Sequence, residues 1–196
     1  MKKRAVFIDR DGTLSEEVGY VNHPTRFRLF PYSAEAIKLL HDNDWLAIVI
    51  TNQAGVARGY FSEEMIQEVH ALMSAELRAA GTDVDAVYYC AHHPSVGEMP
   101  YRQDCDCRKP KPGLIHRAQK ELNIDLPNSW MIGDRYSDVE LAHNAGTRSA
   151  LVLTGYGRGE WEHQRHLWLH QPDVVGETLL QAVEHLIKAS PRENEA

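Results

Sequence analysis

Apolar residues along this chain follow two rhythms. Five short, unbroken runs are of strand length and end in charged or turn-forming residues: AVFID (5–9), LAIVIT (46–51), VDAVYYC (84–90), SWMIGD (129–134) and RSALVLT (148–154). Such runs predict buried strands. Between them, apolar positions recur at helical spacing. SAEAIKLLHD (33–42) predicts a helix with Ser33 as its N-cap and Ile37 and Leu40 on one face. SEEMIQEVHALMSAELRAAG (62–81) predicts a long amphipathic helix with Met65, Val69, Leu72, Met73 and Leu77 on the buried side. Glu63 and Glu64 suit its positive N-terminal end, and Gly81 its stop. GLIHRAQKEL (113–122), SDVELAHNAG (137–146, closed by Gly146) and TLLQAVEHLIKA (178–189) complete the helical set, and DVV (173–175) predicts a short last strand.

Strands alternating with helices imply a parallel sheet covered on both faces. No repeat or low-complexity linker interrupts the order, so residues 1–190 are expected to form one domain, with an irregular loop at about 90–109 and a frayed tail at 191–196. In such sheets ligands bind beyond the carboxyl ends of the strands. The residues there form a coherent set. The first strand ends in Asp9 and Asp11, the second in Thr51 and Asn52, and SWMIGD in Asp134, with Asp138 four residues on. Arg108, Lys109 and Lys111 precede the helix at 113.

Carboxylate oxygens gathered on one rim suit Mg²⁺, which takes few protein ligands. A metal between Asp9 and Asp134 would also relieve the repulsion between carboxylates. Phosphoryl transfer needs an in-line nucleophile and neutralised equatorial oxygens. An aspartate can attack phosphorus, and a second carboxyl can move the proton of the leaving alcohol and the attacking water. Asp9 and Asp11 can divide those tasks, with Thr51 and Lys109 holding the phosphoryl oxygens.

Composition narrows the partners. The 196-residue chain carries a net charge of -7, which disfavours nucleic acid. No apolar run approaches the roughly 20 residues that span a bilayer. MKKRAVFIDR has the basic start of a signal peptide, but its apolar stretch is too short. A cytoplasmic monomer acting on a phosphorylated small molecule is expected. The three cysteines, Cys90, Cys105 and Cys107, are too few and too clustered for a disulfide framework. With His92 they form C-x-H, a loop and C-x-C, a closed tetrahedral donor set of the kind structural Zn²⁺ prefers. His93 competes as the fourth ligand, and reduced cysteines without metal are the alternative. A pinned loop would place Arg108 and Lys109, which adjoin its last ligand.

DRDGT (9–13), TN (51–52), the lysine of RKP (108–110) and GDRYSD (133–138) resemble, in order, the four motifs of the haloacid-dehalogenase (HAD) superfamily of phosphatases. The resemblance spans about two-thirds of the chain. It implies a Rossmann-like, HAD-like α/β fold with Asp9 as nucleophile and Asp11 as general acid/base. It further implies Mg²⁺ held by Asp9, the Asp11 backbone carbonyl and Asp134, with Asp138 behind them. The Cys/His loop, GYV (19–21) and TNQAGVARG (51–59) are similar to the D-glycero-D-manno-heptose 1,7-bisphosphate 7-phosphatase group, which serves nucleotide-activated heptose synthesis for lipopolysaccharide or S-layer glycan. That group implies substrate contacts at Glu17, Val18, Gly19, Tyr20, Thr51, Asn52, Gln53, Ala54, Arg108, Lys109, Asp134 and Arg135. Ala91 and Arg135 depart from it, since members often carry Pro and Lys there. The related histidinol-phosphate phosphatases are the enzyme alternative, and a phospho-acceptor signalling domain or a zinc-dependent interaction module the non-enzyme ones. The stretch between DGT and the second strand is too short for a large cap domain, so the site is expected to be open. His163, His166 and His170 offer a second metal site, against a surface segment in which Trp161 and Trp168 pack on the body.

Overall fold

The computed structural model of the protein describes residues 2–189. The frayed tail expected at 191–196 lies outside them. Six strands, β1 (Arg4–Ile8), β2 (Trp45–Asn52), β3 (Ala86–Cys90), β4 (Trp130–Gly133), β5 (Arg148–Val152) and β6 (Val174–Gly176), form one sheet in the order β3-β2-β1-β4-β5-β6. Every pairing is parallel. Among the described residues the α-helices are α1 (Ser33–His41), α2 (Glu63–Ala79), α3 (Gly113–Leu122), α4 (Tyr136–Ala145), α5 (Gly157–Gln164) and α6 (Leu179–Ala189).

Alternation along the strands divides the core in two. Val6, Ile8, Ala47, Val49 and Ile132 face one side, where they meet Ile37 and Leu40 of α1, Met73 and Leu77 of α2 and Val183 and Leu186 of α6. Ala5, Phe7, Ile48, Ile50 and Met131 face the other, against Leu114 and Ile115 of α3 and Leu141 and Ala142 of α4. Both faces are therefore covered, as parallel strands require. The strand order reverses at β1, which has β2 on one side and β4 on the other. The carboxyl end of β1 is thus the switch point where a ligand crevice opens.

The elements depart from the sequence pattern in three places. Ser33 does not cap α1 from outside; it is the first helical residue, and its Oγ donates to the Leu14 carbonyl at 2.7 Å. The hydroxyl is used to tie the helix to the loop after β1. In α2 the buried residues are Ile66, Val69, Met73 and Leu77; Ile66 packs in a small separate cluster with Val56 and Ala91, Leu72 only flanks the main core, and Met65 is half-buried. Helix α5 has no apolar stripe, and two of its first three residues are glycine. Tertiary contacts hold it: Glu160 accepts the Tyr136 N–H at 2.7 Å and pairs with Arg135 at 3.1 Å. No described helix is long and apolar enough to cross a membrane.

Trp130 is fully buried at the centre of the sheet, with the Arg148 guanidinium 4.1 Å from its ring centroid. Trp130→Ala is expected to lower unfolding stability by about 3–5 kcal/mol, the usual cost of an aromatic-sized core deletion, measured by urea denaturation.

Candidate active site

The first strand delivers Asp9 to the switch point. Its N–H donates to the Ile132 carbonyl of β4 at 2.9 Å, which ties the end of β1 to the strand that carries Asp134. Asp9, Asp134 and Asp138 are buried, and one carboxylate oxygen from each lies within 4.8 Å of the others. Lys109 enters from the loop before α3. Its Nζ lies 2.8 Å from Asp9 Oδ1 and 2.7 Å from Asp138 Oδ1. Three carboxylates thus face one ammonium in a water-poor place. Burial pushes the Asp9 pKa up to about 7, with Lys109 opposing and Asp138 adding to the rise. Burial, then Asp9 and Asp138, push Asp134 up to about 9. Burial works against the Lys109 charge, but Asp138 and Asp9 outweigh it and hold its pKa above the usual lysine value.

The arrangement calls for a further cation. Asp134 Oδ2 accepts the Tyr156 N–H at 2.8 Å, while its Oδ1 is buried without a hydrogen-bond partner. Glycines make the space around it. Gly12 has φ +84°, and a Cβ there would lie 2.2 Å from Asp134 Oδ2; one on Gly155 would lie 2.1 Å from the same oxygen. A hard divalent cation fits an all-oxygen set of this kind. Asp138 does two things at once: its Oδ2 accepts the Arg135 N–H at the start of α4, and its Oδ1 meets Lys109.

A cavity of about 570 Å³ opens above Asp9. Thr51, Asn52, Gln53 and Ala54 line it, as do Asp11, Glu17, Gly19, Tyr20, Arg108, Lys109 and Arg135. Two expected contacts are absent from this wall. Val18 packs against the main core, and its carbonyl accepts from Arg26 at 2.9 Å. Asp134 lies beneath the floor and is fully buried. The Asn52 amide grips the backbone of Lys109 from both sides, accepting its N–H at 3.1 Å and donating to its carbonyl at 3.3 Å. It therefore fixes the lysine-bearing loop as well as lining the cavity.

Several wall residues carried no role in the sequence reading: Tyr156, Glu160 and Gln164 lie outside every motif, and Tyr136 and Ser137 sit within GDRYSD without an assigned contact. Tyr136, Ser137, Tyr156, Glu160 and Gln164 line the cavity from α4, α5 and the turn before α5. Arg135, expected as a substrate contact, lines the cavity, and it also pairs with Glu160 and stacks over Tyr156 at 4.4 Å. Nothing in the spacing of residues 155–164 signals this, since α5 itself was not legible. The three histidines of the 155–172 stretch do not gather. His170 stacks on His143 of α4 at 3.5 Å, Trp168 stacks on Tyr136 at 4.8 Å, and Trp161 lies 6.0 Å from Trp168. Among the described residues only two groups of three or more candidate metal ligands occur, and neither includes these histidines.

The second group is Cys90, His92, Cys105 and Cys107, whose ligand atoms also lie within 4.8 Å of one another. All three cysteines are free, with Sγ–Sγ separations of 3.0, 3.2 and 3.5 Å, and His92 Nδ1 sits 3.3 Å from Cys107 Sγ. His93 points elsewhere: its Nδ1 accepts the N–H groups of Ser95 and Val96 at 3.2 Å each. Contact with Cys90, then burial, raise the Cys107 thiol well above its usual pKa, and burial raises Cys105. Three thiols this close suit a soft, positive centre that stabilises the thiolates.

Comparison with known proteins agrees with this geometry. The HAD-hydrolase-like family model matches residues 106–182. The D-glycero-beta-D-manno-heptose-1,7-bisphosphate 7-phosphatase of Pasteurella multocida (strain Pm70) is 45% identical over 154 residues, 78% of this chain and 83% of the relative. The enzyme of the same name from Haemophilus ducreyi (strain 35000HP / ATCC 700724) is 45% identical over 157 residues, 79% of this chain and 86% of the relative. A crystal structure of D,D-heptose 1,7-bisphosphate phosphatase from B. bronchiseptica, complexed with magnesium and phosphate, superposes with a TM-score of 0.84 at 31% identity, covering 95% of this chain and 99% of that one.

Lys109→Met removes the positive charge that pairs with both Asp9 and Asp138. Metal-free protein is expected to lose about 3–5 kcal/mol of stability, the cost of leaving buried charges unpaired. Added Mg²⁺ should recover part of that loss, read as a larger thermal shift in the variant than in the parent. Equal melting of variant and parent without metal would remove the charge-balance account.

Proposed function

The chain belongs to the D-glycero-beta-D-manno-heptose-1,7-bisphosphate 7-phosphatase family of HAD-like hydrolases, and from that membership we propose that it hydrolyses the 7-phosphate of the heptose 1,7-bisphosphate, with the beta anomer as its substrate. The observation that carries this reading is Asp9: a buried carboxylate on the cavity floor, ion-paired to Lys109, beside an Asp134 oxygen that lacks a partner. Histidinol phosphate is not favoured as substrate, since the relatives above carry the heptose name.

Asp9 attacks phosphorus and forms an aspartyl-phosphate. Lys109 and Thr51 Oγ1 hold the phosphoryl oxygens as negative charge moves onto them. Asp11 delivers a proton to the departing sugar oxygen, which leaves as a hydroxyl, then takes one from the water that opens the acyl phosphate. Asp9, the Asp11 backbone carbonyl and Asp134 would hold Mg²⁺, which would supply charge neutralisation there. Zn²⁺ on Cys90, His92, Cys105 and Cys107 would pin the loop that carries Arg108 and Lys109. Arg108 and Arg135 face the open end of the cavity, where the phosphate that is not cleaved would lie. Glu160 already balances Arg135, so Arg108 is the better candidate for that phosphate. Action in the cytoplasm, by one domain working as a monomer, is part of the same proposal; the sugar phosphate is too polar to cross a bilayer unaided.

Phosphate release with Mg²⁺ should be fastest for the beta anomer of the heptose bisphosphate, beside the alpha anomer and histidinol phosphate. A preference for histidinol phosphate would sink the reading. Asp9→Asn should show no turnover, and Asp11→Ala should be slower by about 10²–10⁴-fold, the usual worth of a general acid/base. Elemental analysis should find one zinc per chain, absent in Cys107→Ser and retained in His93→Ala. Loss of zinc in His93→Ala would instead restore that residue as a ligand.

A further inference from the structure

Arg10 sits between the two aspartates of DRDGT, and the mechanism above gives it nothing to do. It is nevertheless the second-largest fully buried side chain among the described residues. Its guanidinium forks onto its own neighbour: Nε donates to Asp11 Oδ1 at 3.1 Å, and Nη2 to Asp11 Oδ2 at 2.7 Å. Gln53 Nε2 donates to the same Oδ2 at 2.9 Å and to Thr51 Oγ1 at 2.8 Å. Both oxygens of Asp11 are therefore pinned, on the wall of the cavity and next to Thr51.

Such a fork between adjacent residues needs an anchor from outside the turn, because a guanidinium on a flexible stem has several other ways to lie. The turn itself is firm: the Arg10 carbonyl accepts the N–H groups of Leu14 and Ser15 at 2.9 Å each. That holds the backbone but not the side chain. The remaining arm, Nη1, meets His70 Nε2 of α2 at 3.2 Å, sixty positions away in the chain. Since Nη1 can only donate, His70 Nε2 is the acceptor, and the ring is neutral with its proton on Nδ1. Burial, then the Arg10 charge, push the His70 pKa down to about 3, in keeping with a neutral acceptor. Tyr89 of β3 flanks the ring, with centroids 5.8 Å apart.

We propose that His70 is a positioning residue for the phosphatase reaction: it fixes the Arg10 guanidinium, which in turn holds the Asp11 carboxyl where it meets the leaving oxygen. The inference rests on the assignment of Asp11 as general acid. It predicts a defect confined to leaving groups that need a proton. An alkoxide leaving from a sugar phosphate needs one, whereas p-nitrophenolate does not. A residue that only supports the fold would affect both alike.

The experiment compares kcat/KM, which reports formation of the aspartyl-phosphate, for the heptose bisphosphate and for p-nitrophenyl phosphate, both with saturating Mg²⁺. His70→Phe keeps ring volume and removes the acceptor. It should lose about tenfold on the sugar phosphate, a fraction of what a general acid contributes, and less than twofold on the aryl phosphate. His70→Gln, which restores an acceptor oxygen, should recover most of the loss and serves as the test if the Phe variant does not fold. An equal loss on both substrates, or no loss in either variant, overturns the proposal. Asp11→Asn separates the two levels: it must itself show the leaving-group dependence. If it does not, the role of Asp11 is wrong and the role of His70 falls with it. If it does while His70→Gln and His70→Phe lose the same on both substrates, only the role of His70 is wrong.

Discussion

Three buried carboxylates facing one lysine set the terms for the rest of this structure. Asp9, Asp134 and Asp138 repel one another at a separation where each unbalanced pair costs on the order of several kcal/mol in a protein interior. Lys109 offsets part of that, and the orphaned Asp134 oxygen leaves room for a cation to offset more. A site in this condition is poised to accept positive charge and, with it, a phosphoryl group. Its cost must be met by packing elsewhere, which the two-sided core provides.

Much of the chain outside the core serves to keep those four groups in place. Gly12 and Gly155 let two backbone turns close around Asp134, where any side chain would collide. Asn52 clasps the backbone of Lys109. The Cys/His cluster ends at Cys107, two residues before that lysine, so a metal there would hold the loop from its other end. Asp138 caps α4 through the Arg135 N–H while balancing Lys109, so one carboxylate links helix start and charge cluster. The cavity above is built from other parts: the Glu17–Tyr20 loop on one side and α5 with Glu160 and Gln164 on another. The separation is physically sensible, since chemistry demands fixed atoms and substrate entry demands access.

The strands and five of the six helices were legible because their apolar spacing is strong and their burial two-sided or one-sided in a regular way. α5 was not, because GRGEWEHQ has neither apolar periodicity nor helix-favouring composition. It exists through Glu160 and its contacts with Arg135 and Tyr136. The same cause hid the pairing of Arg135, whose partner lies 25 residues along the chain. Spacing preferred His92 to His93 as the fourth ligand but left His93 in competition. The turn at Ser95 and Val96, which occupies His93 Nδ1, separates them. Ser33 shows the reverse case, a residue of capping type whose hydroxyl was claimed by the Leu14 carbonyl instead.

The sequence by itself determined that Asp9, Thr51, Lys109 and Asp134 would stand at strand ends and loops on one rim, because parallel strands with one hand of crossover send all their carboxyl ends the same way. It also determined the donor chemistry of the Cys/His loop. Only the tertiary structure decided that β4 lies directly beside β1, so that Asp134 meets Asp9 while Thr51 flanks it from β2. Only the tertiary structure brought His70 to Arg10, and so gave the arginine of DRDGT a partner. Strand order and helix docking depend on which buried faces fit together, a property of the whole packed core that no local spacing encodes.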